Sequence, residues 1–441
     1  MQHSHEALDR PGGIARRGAL APLRDRDVRL LWAGMCVSLL GDGAFLVALA
    51  WQVYQLSDVP TAMGAVGLAM TVPTVVFLLV GGVISDRVSR RRLMLVADLG
   101  RMAVVAVLAV LSLTGALEIW HVALLVAAYG TGQAFFAPAF DAIVPDLVPP
   151  ELLAQANALD QLVRPIALRM AGPALGGVLV GAAGAGAGFA LDAITFALSA
   201  AALLAMRPVA APVRGDGAPS VLGDLREGWR FVRERRWLWV TFAGAAVAYL
   251  LFMGPVEVLV PYIVKHDLRA GAGDLGLVFG AGGLASVVTA LAFGRLGLPR
   301  RTMTVIYGCW TVATLAVAGY GLGTTVWQLM LASAAFNALE TAGTIVWVSA
   351  KQRHVPTAML GRVSSLDWLI SIGLLPLSFA LTGPAAALFG AQGTLVLAGV
   401  AGAVVTLAGL LVPGVRSLAG PAPTAYEPDD SRWASLAPSS R

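Results

Sequence analysis

The chain is short of charge. Only 13% of its 441 residues are Asp, Glu, Lys or Arg, against 57% hydrophobic. Soluble domains carry about 25% charged residues, so this chain has too little polar surface to cover itself in water. Lysine is almost missing, with Lys265 and Lys351 standing beside 29 arginines. The two cysteines, Cys36 and Cys309, both fall inside apolar runs and read as small packing residues, not as a disulfide or metal site. There is no Gly-x-x-x-x-Gly-Lys-Ser/Thr phosphate loop, which argues against direct ATP drive. His/Cys metal spacing and a Gly-x-Ser-x-Gly nucleophile elbow are absent too. With no catalytic constellation, the sequence predicts neither an enzyme nor a bound metal or cofactor.

Long apolar runs take the place of charge. Many reach 20 residues, the length a helix needs to cross a hydrocarbon core roughly 30 Å thick. The chain therefore reads as an all-α integral membrane protein. Twelve spans can be drawn, near 28–54, 62–84, 93–114, 120–142, 154–180, 187–206, 238–264, 272–296, 302–322, 325–349, 363–388 and 392–412. Residues 1–27 are polar and arginine-bearing with no apolar signal core, and they read as a retained tail. Residues 207–237 form the one long connection. Its Pro/Gly/Ser-rich start reads as a linker. In the following LGDLREGWRFVRERRW, Leu225, Trp229 and Val232 recur at helical spacing against a basic face, which predicts an interfacial helix. The expected organisation is a tail, a six-helix bundle over 28–206, the linker 207–237, a second six-helix bundle over 238–412, and a tail over 413–441.

Arginine placement sets the orientation. With these spans, 26 of the 31 basic residues fall in the tails, loops and adjoining span ends of one side. The other side holds Lys265 and Arg269, while Arg101, Arg164 and Arg169 lie within spans. The positive-inside rule then puts both termini in the cytoplasm of a multi-pass inner-membrane protein. The net charge of +5 is a topology signal, and nucleic acid is not an expected partner.

The two halves also resemble each other. DLVPPELLAQANALDQ (146–161) aligns with RHVPTAMLGRVSSLDW (353–368) at a constant offset, each copy running from a cytoplasmic loop into a span. Parallel six-span repeats are the build of a two-domain transporter.

One stretch is dense in charge: GGVISDRVSRRRLML, residues 81–95, between spans two and three. Its Gly82, Asp86, Arg87, Arg90 and Arg91 resemble the loop signature of the major facilitator superfamily, with Ser89 where that pattern has a second glycine. In span five, Gly172, Pro173, Gly176 and Gly177 resemble the Gly-Pro-x-x-Gly-Gly signature of the antiporters of that superfamily. Gly130-Thr-Gly132-Gln-Ala134 fits the end of a third signature, with Val126 where an arginine often stands. The region DLREGWRFVRERRWL is further similar to a bacterial branch of siderophore and drug exporters. The resemblance covers residues 28–412 and implies two pseudo-symmetric six-helix bundles around a midplane site. It also implies that Asp86 pairs with basic neighbours and with the N-terminal end of span eleven when the cytoplasmic gate is shut. The arginines alone are equally explained as topology anchors, since each costs ~2.5–3.5 kcal/mol at a helix centre.

Ionisable residues inside spans are functional candidates because hydrocarbon penalises them. Asp42, in SLLGDGAFLVAL of span one, has no neutralising neighbour on its own helix. It reads either as a proton acceptor and release site or as an acid satisfied by another span. Asp160 and Arg164 stand four apart and could pair along one face, and Asp42 is expected to approach Arg164. Glu340 in span ten and Glu257 in span seven project from cavity-lining positions if the resemblance holds. Asp192 in span six reads as structural, and Asp160 and Asp367 as interdomain contacts. Tyr249 and Trp347 are among the aromatics that could stack on a flat substrate.

Together these readings predict a secondary transporter that exports a small amphipathic organic compound in exchange for protons. The proton gradient is the driving force, the bilayer and the substrate are its partners, and a monomer is the expected state. The alternatives are a proton-coupled uptake symporter and a transport-inactive sensor or scaffold.

Overall fold

The computed structural model describes residues 21–85, 88–149, 152–208, 221–296, 299 and 301–416. All regular elements among them are helical. In chain order they are α1 (Arg26–Leu56), α2 (Pro60–Ser85), α3 (Arg90–Leu113), α4 (Ile119–Leu147), α5 (Leu153–Arg164), α6 (Gly172–Ala183), α7 (Ala185–Ala205), α8 (Val221–Glu234), α9 (Arg236–Tyr262), α10 (Ala272–Leu296), α11 (Thr302–Leu322), α12 (Val326–His354), α13 (Thr357–Gly373) and α14 (Leu375–Leu411). Local chemistry explains several starts. The Asp25 carboxylate accepts from the backbone N–H groups of Asp27 and Val28 at 2.8 and 3.1 Å, capping α1. Pro60 opens α2, where its missing donor costs nothing.

Eleven helical runs among the described residues are long and apolar enough to cross a bilayer. The last, Met359–Leu411, is 53 residues. At 1.5 Å per residue that is ~80 Å, far more than one crossing needs. Gly390 resolves it: φ is +73° there, a left-handed conformation that glycine adopts freely, and it separates two helices inside α14. Spans eleven and twelve therefore meet at Gly390, between the expected 363–388 and 392–412, and the twelve spans are recovered. Large apolar side chains such as Leu322, Leu388 and Val178 are left exposed. Such a surface suits lipid and not water.

Span five is not one helix. A π-helical turn over Pro165–Ala171 lies between α5 and α6. Proline supplies no N–H to the helical ladder, and Pro165 opens the π turn. Insertions of this type are frequent at functional sites. The proline singled out in the sequence, Pro173, instead sits at the start of α6.

The described residues form two compact units: those of 21–208 with 264–287, and those of 221–263 with 288–416. The core of the first is built on Trp32, Met94, Phe140, Ile143 and Leu203. Here α1 crosses span five at Gly43 and Gly172. A Cβ on Gly172 would stand 2.7 Å from the Ala167 carbonyl oxygen and 2.8 Å from both Gly43 Cα and the Leu40 carbonyl oxygen. These are backbone atoms and cannot swing away. Gly172→Val is expected to destabilise the protein by about 1–3 kcal/mol through overpacking, seen as a lower melting temperature in detergent with no change in a Gly100→Ala control, where a Cβ meets nothing.

The core of the second unit gathers Phe231, Trp237, Tyr307, Trp347 and Val363. The linker helix α8 belongs to this core. Phe231 and Val232 are fully enclosed, and Glu227 accepts from Arg362 at 2.7 Å. Trp229 is 48% exposed, on the side facing away from that packing.

Candidate functional site

In the first unit, Asp42 sits half-buried in the middle of α1. Gly41 and Gly43 flank it, so the neighbouring helices approach its backbone closely. Its Oδ1 accepts from the Tyr129 hydroxyl of α4 at 2.5 Å. Tyr129 is itself buried and stacks on Phe45, ring centroids 4.6 Å apart. Arg164 of span five acts on Asp42 through its charge. Arg164 donates through Nε to both oxygens of Asp160 at 2.8 Å and lies over the Phe140 ring at 5.3 Å. The intrahelical pair of α5 thus forms as its four-residue spacing predicts.

A second guanidinium acts on Asp42 through its charge, that of Arg101 on α3. Its charge acts on Asp42 and Asp98 alike. It is 3% exposed, donates through Nη2 to Asp98 Oδ1 at 2.6 Å, and stacks over Phe136 at 4.6 Å and Phe196 at 4.4 Å. Ser199 donates to the other oxygen of Asp98 at 2.7 Å. Sequence reasoning noted Arg101 as intramembrane but assigned it no role. The signal was present: Asp98 precedes it by three residues, the spacing of a same-face pair.

In the second unit, Glu340 of α12 lines a pocket with Tyr249, Phe252, Trp310, Phe336 and Thr241. Glu340 Oε1 accepts from Thr344 at 3.0 Å. A carboxylate in the lining of an aromatic pocket suits a flat organic cation, through charge and ring stacking. Tyr249 was anticipated; Trp310, Phe252 and Phe336 were not. Glu257 lies outside this lining, half-buried on α9, where its charge acts on Tyr320. Trp347 is buried and donates through Nε1 to Asp367 at 2.9 Å. Asp367 also binds the Lys351 ammonium. Asp160 and Asp367, matched in the internal repeat, therefore both find basic partners inside their own units.

The loop signature divides. Gly82 is part of α2, while Asp86 and Arg87 lie outside the described residues. Arg90 donates to the Ala142 carbonyl at 2.9 Å and pairs with Asp146. Arg91 donates to the carbonyls of Leu203 and Leu204 at 2.6 and 2.9 Å. Those are orphan acceptors at the end of α7, where a cation also meets the negative end of the helix dipole. These two arginines therefore bind the ends of α4 and α7 to α3. In span five, Gly172, Pro173, Gly176 and Gly177 are all buried. Gly177 meets Gly276 of α10 so closely that a Cβ would stand 2.9 Å from its Cα.

Comparison with known proteins gives a consistent result. A family model described as transmembrane secretion effector matches residues 17–421. Macrolide efflux protein A of Streptococcus pyogenes is 25% identical over 237 residues, 53% of this chain and 57% of that protein. The chain thus spans little more than half the length of that relative. The enterobactin exporter of Shigella boydii is 27% identical over 406 residues, 88% of this chain and 90% of the exporter. Among solved structures, a bacterial homologue of the iron transporter ferroportin, in an inward-facing state, matches with a TM-score of 0.64 at 17% identity. That match covers 88% of this chain and 98% of the homologue, and it is a likeness of fold.

Proposed function

The chain belongs to the transmembrane secretion effector family of the major facilitator superfamily, and on that premise we propose that it exports a small amphipathic organic compound across the plasma membrane in exchange for protons. Both termini face the cytoplasm in this reading, and access to the site alternates between the two membrane faces. The export direction draws support from the efflux and exporter names of its relatives, and from the Gly-Pro motif.

The observation that carries proton exchange is the partner of Asp42. A carboxylate fixed to arginine stays ionised, because the cation favours the charged form. Asp42 takes its hydrogen bond from a tyrosine hydroxyl, while the Arg101 and Arg164 charges act on it through space. A hydroxyl donates to the carboxylate and accepts from the acid, so either state can be accommodated. Glu340, in its aromatic pocket, is the group proposed to meet the positive end of the substrate.

The test uses ethidium, a flat aromatic cation, in everted membrane vesicles with an imposed proton gradient. Accumulation that collapses with the gradient supports an exporter. Accumulation only with the gradient reversed would favour uptake, and no gradient dependence would favour the transport-inactive scaffold. Glu340→Gln is expected to weaken ethidium binding about tenfold, or ~1.4 kcal/mol, measured by ethidium fluorescence on purified protein. Unchanged binding would remove Glu340 from the substrate site.

A further inference from the structure

Three carboxylates converge in the interior of the first unit: Asp42 from α1, Asp98 from α3 and Asp192 from α7. Asp98 takes the Nη2 of Arg101 and the hydroxyl of Ser199. Asp42 takes the hydroxyl of Tyr129. Asp192 has no comparable support. It is 0% exposed, and its Oδ1 receives a long bond of 3.2 Å from the Thr195 hydroxyl. Its Oδ2 is buried with no hydrogen-bond partner among the described residues. The Nε of Arg101 is likewise buried and unpartnered.

An ionised carboxylate with an empty oxygen in a dry interior is strongly disfavoured, whereas the acid form needs fewer acceptor contacts. Position links Asp192 to the transport site. It lies against α1 at Gly41, the residue before Asp42. A Cβ built on Gly41 would stand 2.4 Å from Asp192 Oδ1 and 2.0 Å from Thr195 Oγ1. The missing side chain is what lets an acid from span six reach the backbone of span one. The groups whose charges face Asp192 are Asp42 of α1, Asp98 and Arg101 of α3, and Tyr129 of α4.

We propose that Asp192 is a second proton-carrying carboxyl of the transport cycle, loaded and unloaded together with Asp42. The proposal rests on the proton-exchange reading of Asp42. With a proton on each of Asp42 and Asp192, the remaining Asp98 and Arg101 form a neutral pair. With both protons gone to water, two negative charges remain, and the Arg101 charge acts on both. Each proton arrives on a carboxylate oxygen and leaves from it, so the exchange is two protons for one substrate.

Two measurements test this. The first is the infrared spectrum of the purified protein in lipid bilayers, read for a buried carboxylic-acid carbonyl band. Asp192→Asn should remove that band, and Thr195→Val should shift its frequency by taking away the hydroxyl on Oδ1. The Thr195→Val arm holds even if Asp192→Asn folds poorly. The second is ethidium accumulation in proteoliposomes with the membrane potential clamped at zero. Each exchanged proton contributes about tenfold accumulation per pH unit. Wild type should therefore give about 100-fold and Asp192→Asn about tenfold. A band untouched by both variants, or an Asp192→Asn protein with the wild-type slope, overturns the proposal. Wild type that shows the Asp192 band yet moves no ethidium with the gradient overturns the exporter reading instead, and leaves the protonation of Asp192 standing.

Discussion

Asp42→Asn is expected to cut gradient-driven ethidium accumulation at least tenfold per pH unit while downhill ethidium movement survives. Asparagine has nearly the shape of aspartic acid and can still accept from Tyr129 through its amide oxygen, so the 2.5 Å contact between α1 and α4 has a substitute. What it cannot do is take up or release a proton. The two readouts separate coupling from folding. A misfolded protein loses both movements, whereas an uncoupled transporter loses only the uphill one. Equal uphill accumulation by wild type and variant would move the proton site to Glu340 or Glu257. Tyr129→Phe provides the second half of the test. It leaves the stacking on Phe45 in place but removes the hydroxyl, so the ionised form of Asp42 loses its hydrogen-bond donor. Uphill transport should fall while the folded yield stays near wild type.

The fold was largely legible because the bilayer imposes a length. An apolar run of about 20 residues fits a membrane-crossing helix and little else, and short turns between runs leave little freedom in where a helix stops. Gly390 illustrates this, falling in the expected gap between the last two spans. The π turn at Pro165–Ala171 was not legible, since a proline in a membrane helix can be absorbed in several ways. The site was legible only in its members. Asp42 and Glu340 stand out because charge is scarce, but a partner on another span depends on how helices pack, which spacing along one helix does not encode. Arg164 illustrates both sides. Its bond to Asp160 follows from a four-residue spacing, whereas nothing in that spacing shows that α4 brings the Tyr129 hydroxyl to Asp42. The linker helix shows the same division. Helical spacing over Leu225, Trp229 and Val232 predicted the helix, but Phe231 and Val232 turn inward while Trp229 stays exposed.

The largest stability effect is expected from Arg101→Leu. Arg101 holds together α3, α4 and α7: it binds Asp98 at 2.6 Å, and its guanidinium lies over Phe136 of α4 and Phe196 of α7. Asp98 is fully buried. Removing the cation strands a buried carboxylate, and breaking such a pair from one side costs about 3–5 kcal/mol. The melting temperature in detergent should drop sharply. Arg101→Lys keeps the charge but loses the planar fork and the ring stacking, so it should fall between wild type and Arg101→Leu. The double variant Arg101→Leu with Asp98→Leu removes both charges at once. Replacing a buried ion pair with apolar residues is often neutral or stabilising, so this protein should recover much of its melting temperature, and the difference from additivity measures the pair itself. Ethidium transport then separates structure from function. If Arg101 only fastens helices, the stable double variant should transport. If its charge also serves Asp42, the double variant should be folded and uncoupled, the outcome expected from one cation whose charge acts on Asp42, Asp98 and Asp192.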